Sequence, residues 1–395
     1  MRASAMGISN LARAALVLAL IGGCSPQPST LPATQSVPSA TPSPSTASAI
    51  KVTWEPFVRL GDMLDMVHGG RGWVALKECP PGACDRAATV WHSADLETWA
   101  TVELPSSGDI VPISLSASDD DYLVAAYDYD PVGAHGDAFL QVWRSSSGQF
   151  WDRVGELRLG ACGSEHCPGV RGVGLAPNGA IVVGAVIQNE ADDDAAGRSY
   201  VSTDGVNWRE TTIATFSNGN ELDRIVVQAI ESTPTDLAVI GQACSSTCSM
   251  TVWSTTDGVY WLEEQGFGTG VERLAFASDG VQRVAAVTKC ANVSDCATDV
   301  WTGVRSTSWT NVAPALDLAE PEVAWTGEGF VLVGVRNLEF VAYVSPDGST
   351  WTEVPSDSLN GLVACDRRWL AGGAGTVMFG VPDCAVWKGI VQEAL

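Results

Sequence analysis

Two regimes of hydrophobic and polar patterning divide this chain, and the change falls near residue 50. Beyond it, short apolar runs recur in pairs around a polar turn: DMVH-GGRG-WVALK, ISLSA-SDDD-YLVAAY, VGLA-PNG-AIVVGAV, VVQAI-ESTPT-DLAVIG, LAFA-SDG-VQRVAAV and VAW-TGEG-FVLVGV. Runs this short, rich in β-branched and aromatic residues and punctuated by Gly, Asn and Asp, predict antiparallel hairpins.

Tryptophan supplies the longer period. An aromatic residue precedes a tryptophan by eight positions six times: Trp91/Trp99, Trp143/Trp151, Tyr200/Trp208, Trp253/Trp261, Trp301/Trp309 and Tyr343/Trp351. Successive units are 52, 57, 53, 48 and 42 residues apart. A turn-rich segment separates the two aromatics of each pair, with Asp95, Asp204, Asp257 and Asp347 four positions before the tryptophan. Each unit therefore reads as four strands, a to d, and units of this length are the signature of β-propeller blades. The last stretch, from Arg367 to Ile390, supplies strands a, b and c, with Trp387 at the aromatic position of c. Its missing d strand is KVTWEPFV at the other end of the domain, with Trp54. The expected fold is all-β: a seven-bladed propeller of four-stranded antiparallel blades, closed by residues 51–58 joining the last blade. Such closure removes the open edge that invites aggregation.

These turns resemble the Asp-box (BNR) repeat found in sialidases, in its short S-x-D-G-x-x-W form. Ser202 to Trp208 and Ser345 to Trp351 match it, and Thr255 to Trp261 matches with a conservative first residue. Ser93 to Trp99 lacks the glycine, Ser145 to Trp151 has Ser147 in place of the aspartate, and Gly303 to Trp309 keeps little beyond the tryptophan. The resemblance implies that the boxes, including Trp99, Trp151, Trp208, Trp261, Trp309 and Trp351, are structural and lie opposite the ligand pocket. Physically, the carboxylate accepts bonds from turn N–H groups and the tryptophan packs between sheets. The same repeats occur in sialidases, assembly factors and non-enzymatic propellers, so fold does not name function.

The first 49 residues carry the address. Arg2 and Arg13 form a basic n-region ahead of an apolar stretch, Ala14 to Ile21, that is too short to span a bilayer and suits a secretory signal. Ile21-Gly22-Gly23-Cys24 resembles a bacterial lipobox, which implies cleavage after residue 23 and lipidation of Cys24. Residues 24–49, almost entirely Ser, Thr, Pro, Ala and Gln, read as a disordered tether for a head at 50–395. The expected location is extracytoplasmic, anchored in a lipid bilayer through Cys24. Formal charge is −24, with 46 acidic and 22 basic residues, and loss of the two leader arginines takes it to about −26. That balance argues against nucleic acid and against electrostatic attraction to anionic membranes.

Ten cysteines follow Cys24, as Cys79/Cys84, Cys162/Cys167, Cys244/Cys248, Cys290/Cys296 and, more widely spaced, Cys365/Cys384. In an exported chain these read as five disulfides, with metal binding the alternative. By the blade assignment, all five lie on the face carrying the b–c and d–a connections (the upper face). The long b–c loops Asp128 to Phe139 and Gln188 to Ser199 rise there too. The a–b and c–d turns form the opposite, lower face.

Strand a lines the central channel, so its upper end crowds the mouth. There the sequence places Arg59, Asp62, Asp109, Arg171, Asp223, Arg224, Glu272, Arg273, Glu320, Glu322, Arg367 and Arg368. Converging arginines could hold a carboxylate or sulfate bidentately. The sialidase resemblance would make Arg59 the first of an arginine triad, but Phe57-Val58-Arg59-Leu60 matches that motif poorly and no nucleophilic Tyr–Glu pair is evident. The bland reading has these charges pairing with one another. Acidic runs at Asp119–Asp121, Asp128/Asp130 and Asp192–Asp194 lack the ligand alternation of a calcium loop and read as solvated surface. His68, His92, His135 and His166 read as scattered over different blades, and no hydrolase, zinc-protease or nucleotide-binding signature is present. No catalytic residue, metal or cofactor is assigned. The sequence points to a non-catalytic binding or scaffold module for an envelope protein or glycan, engaged on the stapled face. The alternatives are a sialidase-type glycoside hydrolase and an assembly factor for a membrane complex.

Overall fold

The computed structural model describes residues 50–57, 63–77, 88–105, 110–128, 137–161, 169–188, 195–211, 224–244, 247–292, 295–305, 308–359, 368–381 and 385–393. They form seven four-stranded antiparallel sheets. Blades 1 to 6 run in simple a-b-c-d order over 63–103, 110–161, 169–211, 224–266, 271–316 and 319–354. Blade 7 takes strands a to c from Trp369–Gly373, Thr376–Val381 and Ala385–Glu393, and its outer strand from Ile50–Pro56. That outer strand pairs Trp54 with Gly389 and Pro56 with Trp387, so the expected closure is the observed one.

Burial explains why the sheets form a ring. Among the described residues are seven apolar clusters, one at each boundary between neighbouring blades, including blade 7 against blade 1. Each sheet is covered on both faces, so the b strands read as nearly continuous apolar runs, as Leu237–Cys244 does. The aromatic residues at the c position sit in these clusters, with Trp143 and Trp253 almost fully buried.

The c–d turns hold themselves together in the expected way. Asp204 Oδ1 accepts from the N–H groups of Val206 (2.9 Å) and Asn207 (2.8 Å). Asp95, Asp257 and Asp347 do the same in blades 1, 4 and 6, and Ser147 substitutes its hydroxyl in blade 2. The glycine of the turn is needed twice over. Gly205 has φ 75°, and a Cβ there would meet the Val154 carbonyl oxygen at 2.4 Å. Blade 1, lacking that glycine, puts Leu96 at φ 63° and buries its side chain between blades 7 and 1.

Two expectations need correction. His68 and His92 are not on different blades: both belong to blade 1, on strands Met63–Gly69 and Thr89–Ser93. The strands of blades 2 and 3 also run further into the b–c connections than expected, to Asp128 and from Asp137, and to Gln188 and from Ala195. Alanine and glycine are poor strand formers alone, but a partner strand already in register carries Ala195 and Gly197 into the ladder. His135, His166, Asp130 and Asp192–Asp194 lie outside the described residues.

Candidate functional site

The seven inner strands surround a central channel. Six of them break register with strand b: between Met63/Asp65, Pro112/Ser114, Val170/Gly172, Val227/Ala229, Val271/Arg273 and Ala319/Glu322. Blade 7 pairs without a break. Such irregularities re-aim side chains and cluster beside binding sites. Here the first paired residue after the break is Asp65, Arg273 or Glu322 in three blades, and all three line the channel.

A cavity of about 570 Å³ fills much of the bore, with Asp65, Glu231, Glu322, Arg171, Arg368 and Trp325 on its wall. A second, of about 400 Å³, continues past Glu231 and Glu322 to Glu272 and Arg273. The wall is knitted across blades by short hydroxyl contacts. Ser116 and Ser232 lie 2.9 Å apart, and Ser232 Oγ accepts from the Leu175 N–H at 2.9 Å. Glu231 was absent from the sequence-level set of mouth residues, because it lies near the lower end of its strand, Arg224–Ser232. Asp65 was also missed, since only a bulge brings it round to the bore.

Three carboxyl groups share this narrow space, and their proton affinities rise accordingly. Enclosure pushes Asp65 up to about 7, against the opposing N–H bonds of Met66 and Leu115 and with help from the negative charge of Glu322. Enclosure, then the charges of Asp65 and Glu322, push Glu231 up to about 8. Glu322 is raised by enclosure despite its ion pair with Arg273. Glu231 presents its surface to channel water while protein surrounds it on all sides. A wetted bore this tight holds too little water to solvate several anions together, so protons are retained.

Among the described residues two of the mouth arginines are paired. Arg273 of blade 5 pairs with Glu322 of blade 6, and Arg368 at the start of blade 7 pairs with Glu320. Arg171, at the register break of blade 3, is exposed and makes no ion pair among the described residues. Glu272, next to Arg273 in blade 5, is exposed. Arg224 opens the inner strand of blade 4. Arg59, Asp62, Asp109, Asp223 and Arg367 lie outside the described residues, as do Cys79, Cys84, Cys162, Cys167, Cys365 and Cys384.

A tyrosine–glutamate contact does exist: Tyr343 Oη donates to Glu353 at 3.0 Å, and Arg336 joins both. It lies on strands c and d of blade 6, two strand spacings or roughly 10 Å out from the inner strand, so it faces no channel. Its role is to tie an outer sheet together.

Two disulfides are formed, Cys244–Cys248 and Cys290–Cys296, each closing the b–c connection of its blade. Both lie on the upper face, on adjacent blades 4 and 5. They indicate an oxidising, non-cytoplasmic setting. Among the described residues no helix is long and apolar enough to cross a membrane.

No family model and no curated sequence matches the chain. Solved structures do. The chain is similar to a Pyrococcus horikoshii acylaminoacyl peptidase at TM-score 0.50 and 10% identity, over 84% of this chain and 52% of that one. It thus spans about half the peptidase's length. The propeller domain of the Trilobed protease from Pyrococcus furiosus aligns at TM-score 0.47 and 9% identity, over 85% and 96% of the two chains. The Trypanosoma rangeli sialidase aligns at TM-score 0.40 and 11% identity, over 74% and 54%. At these identities the likeness extends to the propeller fold and no further.

Proposed function

We propose that this chain is a lipid-anchored, extracytoplasmic binding module, built on Asp-box-like repeats, that engages an envelope glycan or protein at the upper mouth of its channel. The observation that carries this reading is the pairing of Arg273 with Glu322 and of Arg368 with Glu320. Arginines tied to neighbouring blades shape a mouth, and these two are thereby neutralised rather than presented as free cations to an anionic substrate. What remains in the upper part of the bore is Arg171 with the carboxyl groups of Asp65 and Glu322, while Glu231 and Trp325 stand near the lower ends of their strands and would meet a ligand that reaches down the channel. Those are groups that hydrogen-bond and stack rather than react. Disulfide-closed hairpins beside the mouth lower the ordering cost of binding there.

Titrating soluble envelope glycan fragments while following tryptophan fluorescence tests it. A saturable change, weakened about tenfold by Arg171→Ala, is expected, since a lost charged hydrogen bond costs on this order. Saturable binding unaffected by Arg171→Ala, Asp65→Asn and Glu231→Gln would move the site off the channel. Co-purification with a membrane complex, with no glycan binding, would favour the assembly-factor role instead.

A second reading has one observation in its favour. A carboxylic acid still protonated at neutral pH is what a glycoside hydrolase uses as its general acid, and Glu231 is raised to about 8. A fluorogenic sialoside decides it. Turnover abolished by Glu231→Gln or Arg224→Ala would make the protein an enzyme.

A further inference from the structure

Large apolar side chains project from the lower face on four consecutive blades. Phe150 (79% exposed), Val206 (68%) and Tyr260 (79%) stand at the tips of the c–d turns of blades 2, 3 and 4, and Val281 (68%) at the a–b turn of blade 5. These tips are held outward by their own backbone. The N–H of Phe150 is bonded by Ser147 Oγ, and those of Val206, Tyr260 and Val281 by Asp204, Asp257 and Asp279. Nothing in that arrangement lets the side chains fold back for cover. Blades 1 and 6 carry Glu97-Thr98 and Ser349-Thr350 at the corresponding c–d positions, so the repeat does not require an apolar tip. Single exposed apolar residues are ordinary on a protein surface; a series on one face of adjacent blades is an interaction surface.

The chain itself says what lies on that side. The strand of blade 7 that begins the described domain starts at Ile50, opposite Glu393, at the end of the sheet where the c–d turns sit. Ile50 also packs against Gly329, in the a–b turn of blade 6. The described domain therefore begins at the lower face. Were residues 24–49 the tether that their Ser/Thr/Pro-rich composition predicts, its reach of roughly 25–30 Å would be comparable with the ~20 Å radius of gyration of a domain of this size. Tethering at that range raises the effective concentration enough for a few side-chain contacts to matter.

We infer that the lower face docks on the surface of a lipid bilayer through Phe150, Val206, Tyr260 and Val281, which leaves the upper face directed away from the membrane. The inference rests on the reading of Cys24 as the lipidated residue. Phenylalanine and tyrosine are suited to the headgroup boundary, where an apolar ring and a polar rim are both satisfied. Asp204, Asp257 and Asp279 lie beside the tips, so the surface that fits is zwitterionic, and anionic lipid weakens the contact.

Hydroxyl-radical footprinting of the full-length lipidated protein on phosphatidylcholine vesicles tests this, with the Cys24→Ala protein in solution as reference. Oxidation of Phe150 and Tyr260 is expected to fall at least threefold on vesicles, while Leu338 on the b–c turn of blade 6 is unchanged. Full oxidation of both tips on protein that floats with the vesicles, or protection of Leu338 instead, overturns the docking and leaves the anchor standing. Equal flotation of wild type and Cys24→Ala overturns the anchor. In that case docking is judged by the Cys24→Ala protein at high lipid. A partition at least tenfold weaker for Phe150→Ser/Val206→Ser/Tyr260→Ser supports it, and an equal partition overturns it. All three changes are at exposed positions, and an unchanged melting temperature confirms that the variant folds.

Discussion

Glu231 shows how position in the fold, rather than side-chain identity, sets chemistry. In the unfolded chain it titrates as an ordinary glutamate, while in the channel its proton affinity corresponds to a pKa of about 8. Asp65 behaves likewise, at about 7. A group whose folded-state pKa is raised binds more protons in the native state than in the unfolded one across the interval between the two values. For these carboxyls the native state therefore loses stability as pH climbs from about 4 to about 8, and is favoured below that window. Glu231→Gln removes the titration but keeps the shape. It is expected to raise the melting temperature at pH 9 by about 2 °C, with the difference shrinking as pH falls and gone by about pH 3, where the glutamate is neutral in both the folded and the unfolded state. Calorimetry across that range checks it. A variant no more stable than wild type at pH 9 would mean that channel water solvates the carboxylate fully.

At the scale of one element, blade 5 departs most from the repeat. In blades 1 to 4 and 6, the residue of strand b opposite the first box position is Trp73, Tyr122, Ile181, Leu237 or Phe330, all buried. In blade 5 it is Arg283, opposite Gly303 and 1% exposed. The box aspartate position holds Arg305. Together they meet blade 4: Arg283 pairs with Asp236 and, at 2.6 Å, with Glu264, and Arg305 lies 3.3 Å from Asp236. Thr233 and Ser254 donate to the two carboxylates at 2.7 and 2.6 Å. What the sequence presents as a decayed repeat is a buried ionic clamp of zero net charge. Breaking one member strands the others without water, so Arg283→Leu is expected to cost about 3–5 kcal/mol in denaturant unfolding. Adding Asp236→Asn and Glu264→Gln removes the stranded charges and is expected to restore much of that loss, because the other blades fill this site with apolar side chains. If the single and triple variants are equally unstable, packing rather than charge governs the site.

The whole molecule depends on a closure between distant parts of the chain. Gly389 sits where a Cβ would meet Val377, Trp54 and Val52 within 3 Å, so the outer strand of blade 7 can lie flat only over a glycine. Gly389→Val is expected to displace Ile50–Pro56, lower the melting temperature by several degrees and expose the strand to early proteolysis near Trp54, read by mass spectrometry of the first fragments. First cleavage elsewhere would mean that closure is not the weakest seam. The same scale decides how the two faces divide their work, with disulfide-closed hairpins on one and apolar turn tips on the other.

Much of the architecture was legible in the chain. The spacing of Trp91/Trp99 and its five counterparts, with Trp54 and Trp387 left over at the ends, fixes blade number and closure, because each blade repeats one local pattern of strand, turn and buried indole. Local turn chemistry was equally readable, since Asp204 bonds residues two and three positions on. The channel was not. Asp65, Glu231 and Glu322 come from blades 1, 4 and 6, and only the circular arrangement of sheets makes them neighbours. Arg283, too, looks like an exposed strand residue until blade 4 supplies Asp236 and Glu264. Sequence determines contacts a few residues apart, where the backbone is its own ruler. Proton affinity and charge pairing are set by groups on different blades, tens to hundreds of residues apart, and those depend on the distances that the closed ring imposes.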